Sequence, residues 1–166
     1  MSAGISRATT MQPVHYAYRH ISRRRSPRGW NRIRGVVAPV VFNEGMTLEK
    51  PVIELPGGEA PKELDILDIV VGEGPEAVPG GTVEVHYVGV QFKDGYEFDA
   101  SWNRGETIKF PLRGLIKGWQ EGIPGMKVGG RRQLTIPPSL AYGEKGSGHQ
   151  LSGETLVFII DLLGVS

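Results

Sequence analysis

Leu115-Ile116-Lys117-Gly118-Trp119-Gln120-Glu121-Gly122-Ile123, running on into Pro124-Gly125-Met126-Lys127-Val128-Gly129, is the stretch with helical spacing. Leu115, Ile116, Trp119 and Ile123 fall near one stripe of a helix over about Leu115 to Glu121. Two glycines and so few turns would leave that helix unstable alone. It must therefore lie against another element, with Trp119 turned inward.

The neighbouring segments supply that element. Glu63 to Val71 alternates as a strand does, and Thr82 to Val88 does so more clearly. It places Val83, Val85 and Tyr87 on one face and Thr82, Glu84 and His86 on the other. Lys93-Asp94-Gly95 reads as a hairpin turn returning the chain through Tyr96 and Phe98. Further strands are expected at Ile108 to Leu112, Arg131 to Ile136 and Thr155 to Leu163, the last with Leu156, Phe158, Ile160 and Leu162 on a common face. Short strands, turns and one brief helix indicate an antiparallel α+β domain. The 24 glycines and 12 prolines among 166 residues agree with so many turns.

A chain 39% hydrophobic and 22% charged can bury one core, with an extra arm. There is no cysteine, which excludes disulfides, thiol catalysis and cysteine-bound zinc. It fits a reducing compartment, and a cytoplasmic protein is expected. His15, His20, His86 and His149 show no metal-ligand spacing, so neither metal nor cofactor is expected.

The net charge of +1 conceals a split. Residues 1–45 hold eight arginines and one acid, a net +7, whereas residues 46–166 hold eleven bases and seventeen acids, a net −6. The acidic body gives no hint of nucleic-acid binding. Residues 1–45 have too little to bury for a core. Three readings fit them: an organelle-targeting leader, a basic arm holding RNA phosphates, or an extension upstream of a native start at Met46, which is favoured. A secretion signal is discounted because charge interrupts the segment after Arg23-Arg24-Arg25. Val36 to Phe42, broken by Pro39, falls far short of the roughly 20 residues a membrane helix needs. No membrane contact is expected. Residues 46–63, with Pro51, Pro56 and Pro61, read as an extended lead-in to a domain at 64–166.

Two familiar chemistries fail on context. Val71-Gly72-Glu73-Gly74 follows a strand but leads through Pro79-Gly80-Gly81 into another strand, so no helix terminus follows to hold a dinucleotide phosphate. No serine sits in a nucleophile elbow, and His86 lies mid-strand, so a hydrolytic triad is not expected. Phe98-Asp99-Ala100-Ser101-Trp102-Asn103-Arg104 places an aspartate five residues before an arginine. Its spacing alone fits a partly desolvated ion pair that aims a carboxylate and an inconsequential surface pair equally. By spacing alone, Leu115 to Trp119 is ordinary helix core.

Taken together these blocks resemble the FKBP-type peptidyl-prolyl cis-trans isomerases. His86-Tyr87-Val88-Gly89 is similar to that family's HY-x-G strand, Phe98 to Arg104 to its FD-S-x-x-R, Leu115 to Trp119 to its V-I-x-G-W, and Ala141-Tyr142-Gly143 to its tyrosine loop. Gly130 to Pro138 looks like compact, single-domain bacterial members. The resemblance covers about Leu64 to Leu163. It implies a twisted antiparallel sheet wrapped round one short helix, with the active hollow between them.

The resemblance also implies roles. Asp99, Tyr142, Trp119 and Phe98 would be catalytic, and Tyr87, Arg104, Ile108, Phe110, Leu115, Ile116, Leu151 and Phe158 would bind substrate. In that scheme Trp119 floors the pocket, the backbone N–H at Ile116 and the Tyr142 hydroxyl donate to carbonyls, and His86 anchors neighbouring loops. Ala100 stands where serine is commoner, Ile108 where an aromatic is common, and the Gly143 to Gly153 loop is short, which leaves Leu151 loosely aligned. The implied partners are proline-containing polypeptides and the macrolide inhibitors tacrolimus and rapamycin, acting on a monomer. A non-catalytic binding or chaperone module on the same fold is the alternative.

Overall fold

The computed structural model describes residues 48–55 and 57–166. The readings of residues 1–45 and of a start at Met46 lie outside the described residues. The elements are β1 (Asp65–Val70), β2 (Thr82–Gln91), β3 (Glu97–Ala100), β4 (Ile108–Pro111), α1 (Lys117–Gly122), β5 (Arg131–Ile136) and β6 (Leu156–Val165). They form an antiparallel sheet in the order β1-β5-β6-β2-β3, with β4 also paired to β2. The expected α+β class is therefore the observed one.

Two strands share the outer edge of β2. β4 pairs with Thr82 to Val85 and β3 with Val88 to Val90, so the ladder is interrupted at His86 and Tyr87. A short 3-10 turn at Ser101–Arg104 fills the gap. There the fully buried Ser101 hydroxyl accepts the Tyr87 N–H at 2.8 Å, which satisfies a donor that would otherwise lack a strand partner. His86 turns away from the core, bonds Ser101 Oγ through Nδ1 at 2.9 Å and stacks on Trp102 at 4.1 Å. The turn is thereby tied to β2 from both sides.

Alternation sorts the apolar side chains as the sequence indicates. Val83, Val85 and Tyr87 of β2 meet Leu156, Phe158, Ile160 and Leu162 of β6 in the main core. Each buried aliphatic side chain there contributes roughly 1.5–3 kcal/mol. α1 covers this face. A Cβ on Gly118 would collide with Ile136, and one on Gly122 would stand 2.7 Å from Leu134, so the glycines that weaken the helix let it approach β5. Trp119 and Ile123 are buried beneath it.

The helix is shorter than expected at its start. Ile116 has ψ 149°, so the chain is extended until Lys117 and Leu115 and Ile116 precede the helix, although both still pack on the main core. Likewise Tyr96 lies outside β3, because its N–H is taken by the Asp94 side chain at 3.0 Å and the turn extends that far.

The opposite face carries a second core of Val88, Val90, Ala100 and Val157, against which Ile53 and Leu55 pack. Beside it lies a buried ion pair, in which Arg131 grips Asp161 through Nε at 2.5 Å and Nη2 at 2.8 Å. Arg131 Nη2 also donates to the Glu49 carbonyl at 3.2 Å.

Candidate active site

Five aromatic rings, each from a different element, meet on the α1 side of the sheet. Trp119 stands edge-on to Tyr87 at 5.3 Å, to Phe158 at 5.3 Å and to Phe110 at 6.1 Å, and Phe98 meets Phe158 at 5.5 Å. Edge-to-face pairs of this kind each add about 0.5–1.5 kcal/mol beyond their burial. Tyr87, Trp119 and Phe158 are buried, while Phe98, Phe110, Ile116, Tyr142 and Leu151 are half-buried around them. The result is an apolar floor with a half-exposed rim. Gly89 permits it, since a Cβ there would stand 2.7 Å from Phe98 and 2.8 Å from Phe158.

A bulge brings Phe98 to the same face as the charged group at that rim. The register steps from Gly89 opposite Asp99 to Val90 opposite Glu97, so Phe98 is an extra residue in β3. Phe98 and Asp99 consequently both serve the face that carries the rings, whereas strict alternation would separate them. The Tyr87 hydroxyl donates to Asp99 Oδ2 at 2.5 Å, Arg104 Nη1 donates to Oδ1 at 2.7 Å, and Arg104 Nη2 donates to the Tyr87 hydroxyl at 2.9 Å. The three groups form a closed ring of bonds.

The electrostatics follow from these contacts. Burial alone would raise the Asp99 carboxyl, but hydrogen bonds from Tyr87 and Arg104 hold it below its ordinary value. Burial, and after it the bond to Asp99, pushes the Tyr87 phenol up to about 12. Asp99 is thus a fixed anion and Tyr87 a neutral donor to it.

Two further donors border the rings. The Ile116 N–H donates to no acceptor among the described residues, while its carbonyl accepts from Trp119 and Gln120 at the start of α1. Tyr142 lies just past a 3-10 turn at Pro138–Leu140, and burial, then the charge of Asp99, raises its phenol. Its ring is stacked on His149 at 3.9 Å with the planes 6° apart. His149 Nδ1 in turn accepts the Leu151 N–H at 3.1 Å, and Gly153 N–H bonds the Gly143 carbonyl at 2.8 Å to close the loop.

A family model described as FKBP-type peptidyl-prolyl cis-trans isomerase matches residues 74–163, more than half of the chain. The chain belongs to that family. It is a peptidyl-prolyl cis-trans isomerase of the FKBP type. It is similar to a protein of Corynebacterium glutamicum named as a probable FK506-binding protein, with 74% identity over 116 residues that cover 70% of this chain and 98% of the relative. An FK506-binding protein of Streptomyces anulatus is 55% identical over 124 residues, covering 72% of this chain and all of the relative. The crystal structure of FkpA from Escherichia coli superposes with a TM-score of 0.58 at 43% identity, covering 62% of this chain and 48% of that one.

Within this FKBP-type isomerase the residues singled out from sequence gather in one place. Tyr87, Trp119 and Phe158 lie in the main core, and Phe98, Ile108, Phe110, Leu115, Ile116, Tyr142 and Leu151 pack against it. Asp99 and Arg104 sit at its edge through the Tyr87 hydroxyl. Sequence reasoning missed His149, whose stacking partner is seven residues away across an irregular loop without periodicity. It also missed Lys50, whose Nζ reaches Glu97 and Asn103, next to Phe98 and Arg104 in sequence. No local pattern marks either.

Proposed function

We propose that the chain isomerises X-Pro bonds at this ring cluster, with Asp99, Tyr142, Trp119 and Phe98 acting on the bound imide. Tyr87, Arg104, Ile108, Phe110, Leu115, Ile116, Leu151 and Phe158 seat the substrate. The observation that carries the assignment is the Asp99 carboxylate, held by both Tyr87 and Arg104 beside the buried rings.

Rotation about an X-Pro bond meets a barrier of about 18–20 kcal/mol because resonance gives the C–N bond double-bond character. The planar amide is more dipolar than the twisted one, so water favours the ground state. Packing the pyrrolidine against Trp119 and Phe158 removes that solvent, and the Ile116 N–H and the Tyr142 hydroxyl hold flanking carbonyls in a turned geometry. Asp99 orients and polarises the imide carbonyl. A millionfold acceleration would require roughly 8 kcal/mol from these contributions together. No bond breaks, so no general acid or base with a matched pKa is needed.

Tacrolimus (FK506) and rapamycin would compete for the same rings, a reading supported by the names of the Corynebacterium and Streptomyces relatives. The chain is read as acting as a monomer, and the cysteine-free sequence supports a cytoplasmic setting. A protease-coupled assay on a proline peptide tests the reading. Asp99→Ala should cut kcat/KM at least tenfold, and tacrolimus should abolish turnover at one equivalent per chain. Full activity in Asp99→Ala, or turnover indifferent to the macrolide, would overturn the corresponding assignment.

A further inference from the structure

Residues 48–55 lie before the matched family stretch, yet they contact the back of the site. Pairing with Gly89 puts Asp99 on the ring face, and the bulge at Phe98 leaves Glu97 opposite Val90, on the face where Ile53 and Leu55 pack. Glu97 is met there by a cation. Lys50 Nζ donates to Glu97 at 2.9 Å and to Asn103 Oδ1 at 2.8 Å, and Asn103 Nδ2 donates to Glu97 at 2.8 Å. This ring of contacts joins Glu97 to Asn103, and the interval it closes overlaps the one closed by Asp99 and Arg104.

We propose that Lys50 is a positioning residue for the Asp99–Arg104 pair, acting through Glu97 and Asn103 as a clasp on the loop that carries them. The proposal rests on the reading of Asp99 given above. Lys50 is itself fixed, because the adjacent Glu49 carbonyl accepts from Arg131, whose guanidinium is buried against Asp161, and Ile53 and Leu55 anchor the chain beyond it. Two effects follow from the clasp. It holds Asn103, and hence the neighbouring Arg104, against β3. It also pairs Glu97, a carboxylate whose ionised form the Asp99 charge disfavours. Tyr87 from β2 and Arg104 from the turn act on the Asp99 carboxyl, and the Asp99 charge in turn acts on Tyr142 from its loop and Glu97 from its own strand.

The full chain is the material for the test, with kcat/KM on a proline peptide and the Asp99 carboxyl titration followed by carbon NMR. Lys50→Ala should lower kcat/KM about threefold at low salt, the scale of a half-exposed ion pair, and move the Asp99 titration upward. Lys50→Arg should restore both. High salt should shrink every difference. An unmoved Asp99 titration in Lys50→Ala overturns the proposal, whether or not its thermal midpoint falls. Failure of the underlying reading is separate: it would appear as full activity in Asp99→Ala, while the titration in the Lys50 variants would still report on the clasp.

Discussion

The phenol of Tyr87 donates to Asp99 at 2.5 Å while its ring stands edge-on to Trp119 at 5.3 Å, so one side chain is both wall of the apolar floor and support of the anion beside it. Tyr87→Phe separates the two jobs. The ring contacts stay, and Asp99 keeps Arg104 as its side-chain donor. A lost hydrogen bond of about 1 kcal/mol should lower kcat/KM by about 3- to 10-fold with an unchanged near-ultraviolet spectrum of Trp119. Activity at the wild-type level would show that Arg104 alone fixes the carboxylate.

The depressed Asp99 titration sets a pH dependence. Its stabilising contacts are fully present above the unfolded aspartate value of about 3.9 and are lost as pH falls through the lower folded value. Isomerisation should therefore be flat from about pH 5 to 8 and decline only in stronger acid. Arg104→Ala removes one of the two side-chain donors and should start that decline at higher pH. NMR exchange on a proline peptide measures this without a coupling protease, and identical acid limbs for the two proteins would contradict it.

Much of this arrangement was legible in the sequence because strand alternation is local. Val83, Val85 and Tyr87 had to share a face wherever β2 ended up, and the same holds for Leu156 to Leu162 of β6. The site was legible through resemblance more than spacing, since Asp99 and Arg104 alone fitted a surface pair equally well. What escaped depends on geometry that no period encodes. The bulge at Phe98 breaks the alternation that would have put Phe98 on the face opposite Asp99. Ile116 looks helical by stripe, yet its extended ψ releases its N–H from the helix. Lys50 sits in a proline-spaced segment whose contacts are 47 and 53 residues distant.

Gly118 offers a test of the packing that supports Trp119. Alanine would gain about 1 kcal/mol of helix propensity, but its methyl meets Ile136 within collision distance. Overpacking of about 1–3 kcal/mol should win, because Ile136 is fully buried and cannot retreat. Urea unfolding of Gly118→Ala should show a lowered midpoint at constant slope, and Ile136→Ala in the same chain should cost less than it does alone. A raised midpoint would mean that the helix can lift from β5.

His149 reaches the site only through Tyr142, and that makes its contribution separable. The parallel stack at 3.9 Å fixes the phenol ring, and the Nδ1 bond to the Leu151 N–H fixes the far side of the loop. His149→Ala removes both, while His149→Phe keeps a ring to stack and loses the acceptor. A stacked pair is worth about 0.5–1.5 kcal/mol, so His149→Ala should raise KM for a proline peptide by about 2- to 10-fold, with His149→Phe between it and wild type. If the effect runs through the Tyr142 hydroxyl, then in a Tyr142→Phe background His149→Ala should add little, because the donor it positions is already gone. Additive losses in the two variants would instead place the role of His149 on Leu151 and the loop backbone.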